Sequence, residues 1–533
     1  MKYEANRQLE TIIEKVRKLL PFIDDCKIIN SNHIEILIKK ENLMSASELL
    51  VNSLDINASL ITLTALDNRE VEKQFILYAV FSMGKSGVLL TLKILLDGNS
   101  YPAISKKIPS ALWYELENHD LFGIVPEGID LEPLISKGDL HLSKHHPMRR
   151  DFQKNTQVPI IEHDLEFNHP HAEGLHQIAV GPIHAGIIEP GHLRFCALGE
   201  EIHTFDAQLF YTHKGIEKMA EGKTPVECLN IAEHICGMCS FSHSVAYCLA
   251  LEELSEIKIP DRADFIRMIL LELERLASHL ADLMAISSAG GLGFAANYSA
   301  RLREEIMRLN QELTGSRFLR GLNTIGGLKN NLSNKSLDNL LTKIKKFKTD
   351  FRDLEELILG SDSLLDRLEL TGHLPKEKAK LLGLVGPPAR ASEIDSDIRR
   401  DNPYLFYDRY KLKVPVYDTC DVLARTQVRI DEVYESINLI KNIIKDMPDG
   451  DIFIEIKNYK KLTPSIGFIE SAKGELVHWV MLDNEGTIFR YHVRSASYMN
   501  WRGVSQATMG NNIVPDGPLV NKSFNLCYAC VDR

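Results

Sequence analysis

The sequence has no long apolar run. Its hydrophobic stretches, such as Leu381–Val385, fall far short of the roughly 20 residues that a bilayer-spanning helix needs. The first residues, Met1-Lys2-Tyr3-Glu4-Ala5-Asn6-Arg7, lack the apolar core of a signal peptide. A cytoplasmic chain is expected, with any membrane association made through partners. Basic charge is also scarce, with 62 Lys and Arg against 73 Asp and Glu and a net charge of −11. No basic stripe stands out to neutralise phosphates, which argues against nucleic-acid binding. Neither Pro nor Gly is in excess, and there is no internal repeat or low-complexity tract. Nine cysteines among 533 residues are too few for a disulfide framework.

What is present is an ordinary globular composition, 44% hydrophobic and 25% charged, in a chain too long for one core. Residues 1 to about 150 read as a mixed α/β unit. Asn6–Leu20 has helical spacing at Leu9, Ile12, Ile13, Val16, Leu19 and Leu20. Short β-rich runs follow at Ile34–Ile38, Gln74–Phe81 and Val88–Leu95, with Gly84 and Gly87 marking a turn. From Asn155 to Gln177 the chain is polar and His-containing without periodicity, as expected of a connecting segment. Beyond Gly181 the pattern is mostly helical. Asp261–Met284 carries apolar residues at Ile266, Ile269, Leu273, Leu276, Leu280 and Leu283, with charges between them. Thr426–Met447 repeats the pattern and Pro448-Asp449-Gly450 stops it. A small β-rich part is expected from Ile452–Ile456, Leu476–Leu482 and Thr487–Val493.

The distribution of cysteine is more telling than its amount. Cys26, Cys196, Cys228, Cys248 and Cys420 stand alone and read as buried structural thiols. The other four form two C-x-x-C pairs, Cys236/Cys239 and Cys527/Cys530. Two such pairs make a four-thiolate site, for which structural zinc is the default, an iron–sulfur cluster the next candidate and a rarer metal the third. Against zinc, the pairs lie about 290 positions apart, whereas zinc ribbons keep theirs within a few tens of residues. The second pair also stands three residues before Arg533, an odd place for a structural staple.

The neighbours of these cysteines sharpen the reading. Ile235-Cys236-Gly237-Met238-Cys239-Ser240-Phe241-Ser242-His243 resembles the C-G-x-C-x-x-x-H motif of nickel–iron hydrogenase large subunits. Cys527-Tyr528-Ala529-Cys530-Val531-Asp532-Arg533 resembles their second motif, in the Arg-ending variant of complex-I-related hydrogenases. That family clips a precursor tail after this motif, so a processed form is expected. Trp113-Tyr114-Glu115, Asp120–Ile124 and Pro147-Met148-Arg149-Arg150-Asp151 are similar to the 30-kDa subunit of complex I. Gly181-Pro182, Glu189-Pro190-Gly191-His192, His213–Lys218, Glu272–Leu276, Gly386–Ser392 and Arg429–Tyr434 look like the catalytic subunit, in order. This fusion resembles formate hydrogenlyase large subunits. It implies an α+β chain: a 30-kDa-like α/β docking domain at 1–155, a connecting segment at 156–178, and a hydrogenase domain at 179–533. That last domain is expected to be mostly α-helical and similar to the 49-kDa subunit of complex I.

The resemblance implies interconversion of H2 with protons and electrons at a nickel–iron centre whose iron carries cyanide and carbon monoxide. Cys236 and Cys527 would be terminal nickel ligands, and Cys239 and Cys530 would bridge nickel to iron, as soft thiolates can. His243, one helical turn after Cys239, would lie beside a cysteine sulfur. Glu189 would be the first proton carrier beyond the cysteines. The Glu272/Glu274 pair is expected to form a charged helix face or a partner contact. Implied partners are a small subunit with an iron–sulfur cluster, further iron–sulfur and membrane-antiporter-like subunits, maturation factors and a C-terminal endopeptidase. The implied location is the cytoplasmic face of the membrane. Three departures from the pattern stand out. His234 replaces an Arg, Asn525-Leu526 replaces Asp-Pro, and Lys473 in Ser471-Ala472-Lys473-Gly474 replaces the Arg that overhangs the metals. The rival is a non-catalytic, complex-I-like quinone module with a zinc or vestigial metal site, and the third option a zinc-stapled scaffold.

Overall fold

The computed structural model describes residues 2–135, 145–153, 155–158, 173–184 and 188–533. The chain divides into two compact units, Met1–Phe167 with Leu381–Gly383, and Asn168–Lys380 with Leu384–Arg533.

The first unit is α/β. Leu9, Ile12, Val16 and Leu20 form the buried stripe of a helix over Lys2–Leu19 and the residue after it. Five strands make one sheet in the order Asp25–Asn30, His33–Ile38, Leu89–Leu96, Gln74–Ser82, Ser59–Asn68. Only the pairing of His33–Ile38 with Leu89–Leu96 is parallel. The three strands expected from their β-rich runs are therefore central, and the edges are Asp25–Asn30, which is polar at both ends, and Ser59–Asn68, which is itself β-rich over Leu60–Leu66. The polar stretch expected as a connection lies largely outside the described residues. Its end, Leu175–Val180, is a strand.

In the second unit the helix Asp261–Ala289 packs against Gly293–Thr314, Val422–Lys445 and Asp516–Phe524. All six apolar residues singled out by spacing are completely buried. So are Arg267, Glu272, Arg275, His279 and Asp282, because this helix is surrounded on every side. Neither Glu272 nor Glu274 lies on a solvated face. Glu272 accepts from Tyr407 Oη and Ser436 Oγ, both at 2.6 Å, and from Arg399 Nη1 at 3.1 Å. Buried charges persist only when paired in this way.

A three-stranded antiparallel sheet, Pro464–Ser471, Gly474–Leu482 and Ile488–Arg494, is buried on both faces. Its first strand replaces the expected Ile452–Ile456. That segment makes only one isolated bridge, Phe453 to Gly327, because the two-residue strands it meets offer no longer edge. Helix Ser240–Ser255 lies across the first two strands. It approaches so closely that a Cβ at Gly467 would fall 1.8 Å from the Ala246 carbonyl oxygen. Only glycine fits there. A second sheet, Leu175–Val180, His192–Leu198 and Glu201–Gln208, begins its middle strand just after Glu189.

Candidate metal centre

Two tight connections carry the four paired cysteines. Thr224 and Glu227 form a capping box that starts helix Pro225–Glu233. The helix ends at His234, and the next loop presents Cys236 and Cys239. Helix Ser240–Ser255 begins at once and is anchored from outside. Glu274 accepts from Phe241 N at 2.7 Å and Ser242 N at 3.0 Å, and also takes the Ser242 hydroxyl. A carboxylate suits these otherwise orphaned helix N–H groups. Burial nevertheless pushes its pKa up to about 7.

The second connection follows helix Asp516–Phe524, which ends at Asn525 in the left-handed region, φ 45°. Asparagine tolerates that conformation better than most residues. Cys527 N donates to Ser497 Oγ at 3.0 Å, and Ser495 Oγ donates to the Cys530 carbonyl at 2.9 Å. The Asp532 carboxylate accepts from Phe210 N at 2.8 Å, Thr212 N at 2.9 Å and Thr212 Oγ1 at 2.6 Å. Arg533 offers its carbonyl to Lys214 N and Gly215 N and its guanidinium to Glu217. The segment is stitched in place on both sides of the cysteines.

The two connections bring all four sulfurs together. Cys236 Sγ lies 3.2 Å from Cys527 Sγ, and Cys239 Sγ lies 3.6 Å from Cys530 Sγ. A disulfide would require about 2.05 Å. Thiolates sharing a metal at about 2.3 Å stand roughly 3.2–3.8 Å apart at tetragonal to tetrahedral angles. Four ionised sulfurs this close repel one another, and burial pushes the Cys530 thiol up. A multivalent soft cation is the chemistry that reconciles such a donor set. The residues fit a thiolate-bound metal.

Three further candidates lie around this cluster. Glu189 Oε2 accepts from Ala529 N at 2.6 Å and stands 4.0 Å from Cys527 Sγ. Burial raises its pKa, which favours holding a proton. Close packing brings it there, since a Cβ at Gly191 would meet the Tyr528 ring at 2.3 Å. His243 sits one turn into its helix with Nε2 3.8 Å from Cys530 Sγ, and burial lowers its pKa to about 4. Lys473 is buried with its ammonium on Asp282 Oδ1. Asp282 also receives Arg429 Nε at 2.7 Å and Asn525 Nδ2 at 2.6 Å. Burial opposes ionisation of Asp282, but Lys473 and Arg429 outweigh it and hold the carboxyl well below its usual range. Lys473 thus connects with the cysteine segment through Asp282 and Asn525.

His234, by contrast, is exposed, with Nδ1 2.7 Å from the Asn230 carbonyl oxygen. Of the five isolated cysteines, Cys196, Cys228, Cys248 and Cys420 are buried, and Cys26 is only half-buried. No local motif marks Asp282, His478 or Tyr491, which also belong to this region. The available signal was a charge at Asp282 set between Leu280 and Leu283 on an apolar helix face, and a His inside the apolar run Leu476–Leu482.

Comparison with known proteins agrees with these landmarks. Residues 214–288 match the nickel-dependent hydrogenase family, and residues 36–158 match the 30 Kd subunit of respiratory-chain NADH dehydrogenase. Residues 291–466 and 462–533 match the 49 Kd subunit of the same enzyme. Formate hydrogenlyase subunit 5 of Escherichia coli is 33% identical over 475 residues, 88% of this chain and 83% of that protein. Hydrogenase-4 component G of Escherichia coli is 32% identical over 476 residues, 88% of this chain and 82% of that protein. The solved membrane-bound sulfane sulfur reductase, an archaeal respiratory membrane complex, contains a chain with TM-score 0.64 and 25% identity. The match covers 68% of this chain and 100% of that one. With a hydrogenase match over the first cysteine pair and complex I matches on either side of it, the chain belongs to the nickel–iron hydrogenase large subunits of the complex-I-related type, oxidoreductases acting on hydrogen.

Proposed function

We propose that Cys236, Cys239, Cys527 and Cys530 would hold the nickel–iron centre, Cys236 and Cys527 as nickel ligands and Cys239 and Cys530 as ligands that nickel would share with iron. The convergence of four sulfurs from segments at opposite ends of one unit carries this reading. The pairing also supports it, since the first cysteines of the two motifs lie together and so do the second. Cyanide and carbon monoxide on the iron belong to the same proposal. When bound, the centre supplies heterolytic cleavage of H2 and its reverse.

The chain's own residues handle the protons. A proton on Cys527 Sγ passes to Glu189 Oε2, 4.0 Å away. Ala529 N–H keeps that oxygen facing the cysteine. Lys473, clamped on Asp282, fixes a positive charge beside the cysteine segment and orients Asn525. His243 donates to the Cys530 sulfur.

The relatives are named as parts of multisubunit hydrogenases and membrane complexes, so further subunits complete this one. No helix among the described residues is long and apolar enough to cross a membrane. Attachment at the cytoplasmic face would come through antiporter-like membrane partners, with electrons delivered by a small subunit carrying an iron–sulfur cluster. Maturation factors and a C-terminal endopeptidase would build the centre. Residues 1–155 serve as a docking domain and 179–533 as the catalytic domain. Hydrogen evolution tests the assignment. Cys239→Ser and Cys530→Ser should abolish it together with nickel retention, and Cys248→Ser should leave both intact. Full activity in Cys530→Ser would end this reading.

A further inference from the structure

A chain of polar contacts leads away from the sulfur of Cys530. His243 Nε2 lies 3.8 Å from that sulfur, His243 Nδ1 lies 2.9 Å from His478 Nε2, and His478 Nδ1 lies 2.8 Å from Tyr491 Oη. All three side chains are completely buried. His243 comes from helix Ser240–Ser255, His478 from the middle strand beneath it, and Tyr491 from the next strand. The proposed chemistry leaves His478 and Tyr491 without a role.

We propose that Tyr491 and His478 are positioning residues that fix the tautomer of His243, so that its Nε2–H is aimed at the Cys530 sulfur. The inference rests on Cys530 being a metal-bound thiolate.

The argument follows from counting donors and acceptors. A neutral imidazole has one N–H and one lone pair. Both rings are completely buried, and a ring shut away from water stays neutral. A metal-bound thiolate has no proton to give, so the nitrogen facing it bonds to it only in the tautomer in which that nitrogen donates. His243 therefore carries its hydrogen on Nε2 and accepts at Nδ1. His478 must then donate from Nε2 and accept at Nδ1. The Tyr491 hydroxyl is the donor at the end of the chain. With a thiolate at one end and a phenol at the other, all three contacts run in one direction. The reverse order would turn a lone pair of His243 toward the thiolate and is repulsive.

Packing keeps the participants aligned. Tyr247 stands edge-on to both His478 and Tyr491, with ring centroids 6.4 and 5.6 Å away, and its own hydroxyl is committed to the Pro225 carbonyl at 2.8 Å. Tyr247 is thereby spent as an alternative donor. The hydrogen bond from His243 draws electron density from a sulfur that the centre shares. Outer partners of metal ligands commonly change affinity or activity by about 10–100-fold.

The test uses metal-loaded protein whose nickel and iron content is measured first. Tyr491→Phe keeps the ring and removes the terminal donor. The histidine 15N resonances report which ring nitrogen carries hydrogen, and a redox titration reports the potential of the centre. In the unaltered protein Nε2 of both His243 and His478 should be protonated. In Tyr491→Phe that single tautomer should give way to a mixture. The potential should move negative, and turnover should fall roughly 10-fold or more. His478→Gln, which can still donate to His243 and accept from Tyr491, should keep the potential, whereas His478→Leu should not. A metal-replete Tyr491→Phe protein with unchanged 15N resonances and unchanged potential would overturn the inference. Protein that retains no nickel at all would overturn the thiolate reading on which it stands, and the metal content tells the two failures apart.

Discussion

Glu189 meets the cysteine segment directly at Cys527 and Ala529, whereas Lys473 reaches it through Asp282 and Asn525, and substitutions at the two should fail differently. Glu189→Gln preserves shape and still accepts from Ala529 N, but it cannot titrate. Turnover and H/D exchange should both collapse while nickel and iron remain. Unchanged exchange in metal-replete Glu189→Gln would show that protons leave by another route. Lys473→Met removes the ammonium that, with Arg429, holds Asp282 ionised. A loss of about 10²-fold or more in rate is expected, the scale of a lost acid–base or positioning group. Lys473→Arg should keep or raise activity, since a guanidinium can reach Asp282 and stay charged. Steady-state rates of metal-replete variants check both, and a full-speed Lys473→Met enzyme would reduce Lys473 to a structural ion pair. The four cysteines could be picked out in the sequence because each pair has ligand spacing and a distinctive neighbourhood. Asp282, His478 and Tyr491 could not, because what defines them is a neighbour 13 to 243 positions away.

Elements with strong periodicity followed their pattern. The Asp261–Ala289 helix and the Gly474–Leu482 strand form where apolar spacing placed them. Strand Pro464–Ser471 was hidden by its own Pro, Gly and Ser, and Gly467 is there because helix Ser240–Ser255 presses on it. Ile452–Ile456 has the composition of a strand but meets no adequate edge. The short Tyr528–Asp532 helix is held less by its own turn than by what receives it. Glu217 is central to that, taking Arg490 Nη1 at 2.7 Å, Val493 N at 3.0 Å and Arg533 Nη1 at 3.2 Å. Burial alone would raise the pKa of Glu217, but Arg490 and its neighbours hold it well below the ordinary value. A depressed carboxyl contributes stability that is complete above its unfolded pKa, near 4.3, and lost as pH falls through the folded value. Glu217→Gln removes the carboxylate charge that Arg490 and Arg533 share and should cost about 3–5 kcal/mol at neutral pH. The deficit relative to the unaltered protein should shrink below about pH 4.3, where the unfolded state takes up the proton. Denaturant titrations at neutral and acid pH check the sign, and a deficit that grows on acidification would refute it.

At the scale of the molecule, two units with separate cores share one chain, and only the second carries the sulfur cluster. Removing residues 1–155 should weaken assembly with partner subunits and leave metal content unchanged, as co-purification and metal analysis would show. A redox cofactor bound by the isolated segment would contradict the docking role. The two-part organisation was visible in the sequence because a β-rich α/β pattern gives way to long helical periodicity. The resemblance already implied that Cys236 and Cys527 share one site, and the fold adds the approach itself, with their sulfurs 3.2 Å apart. The central claim is that this meeting point holds nickel and iron, and elemental analysis of the purified protein tests it most directly. About one nickel and one iron per chain, both lost in Cys530→Ser, is the result expected of a four-thiolate site. Zinc alone, unaffected by that substitution, would contradict the account.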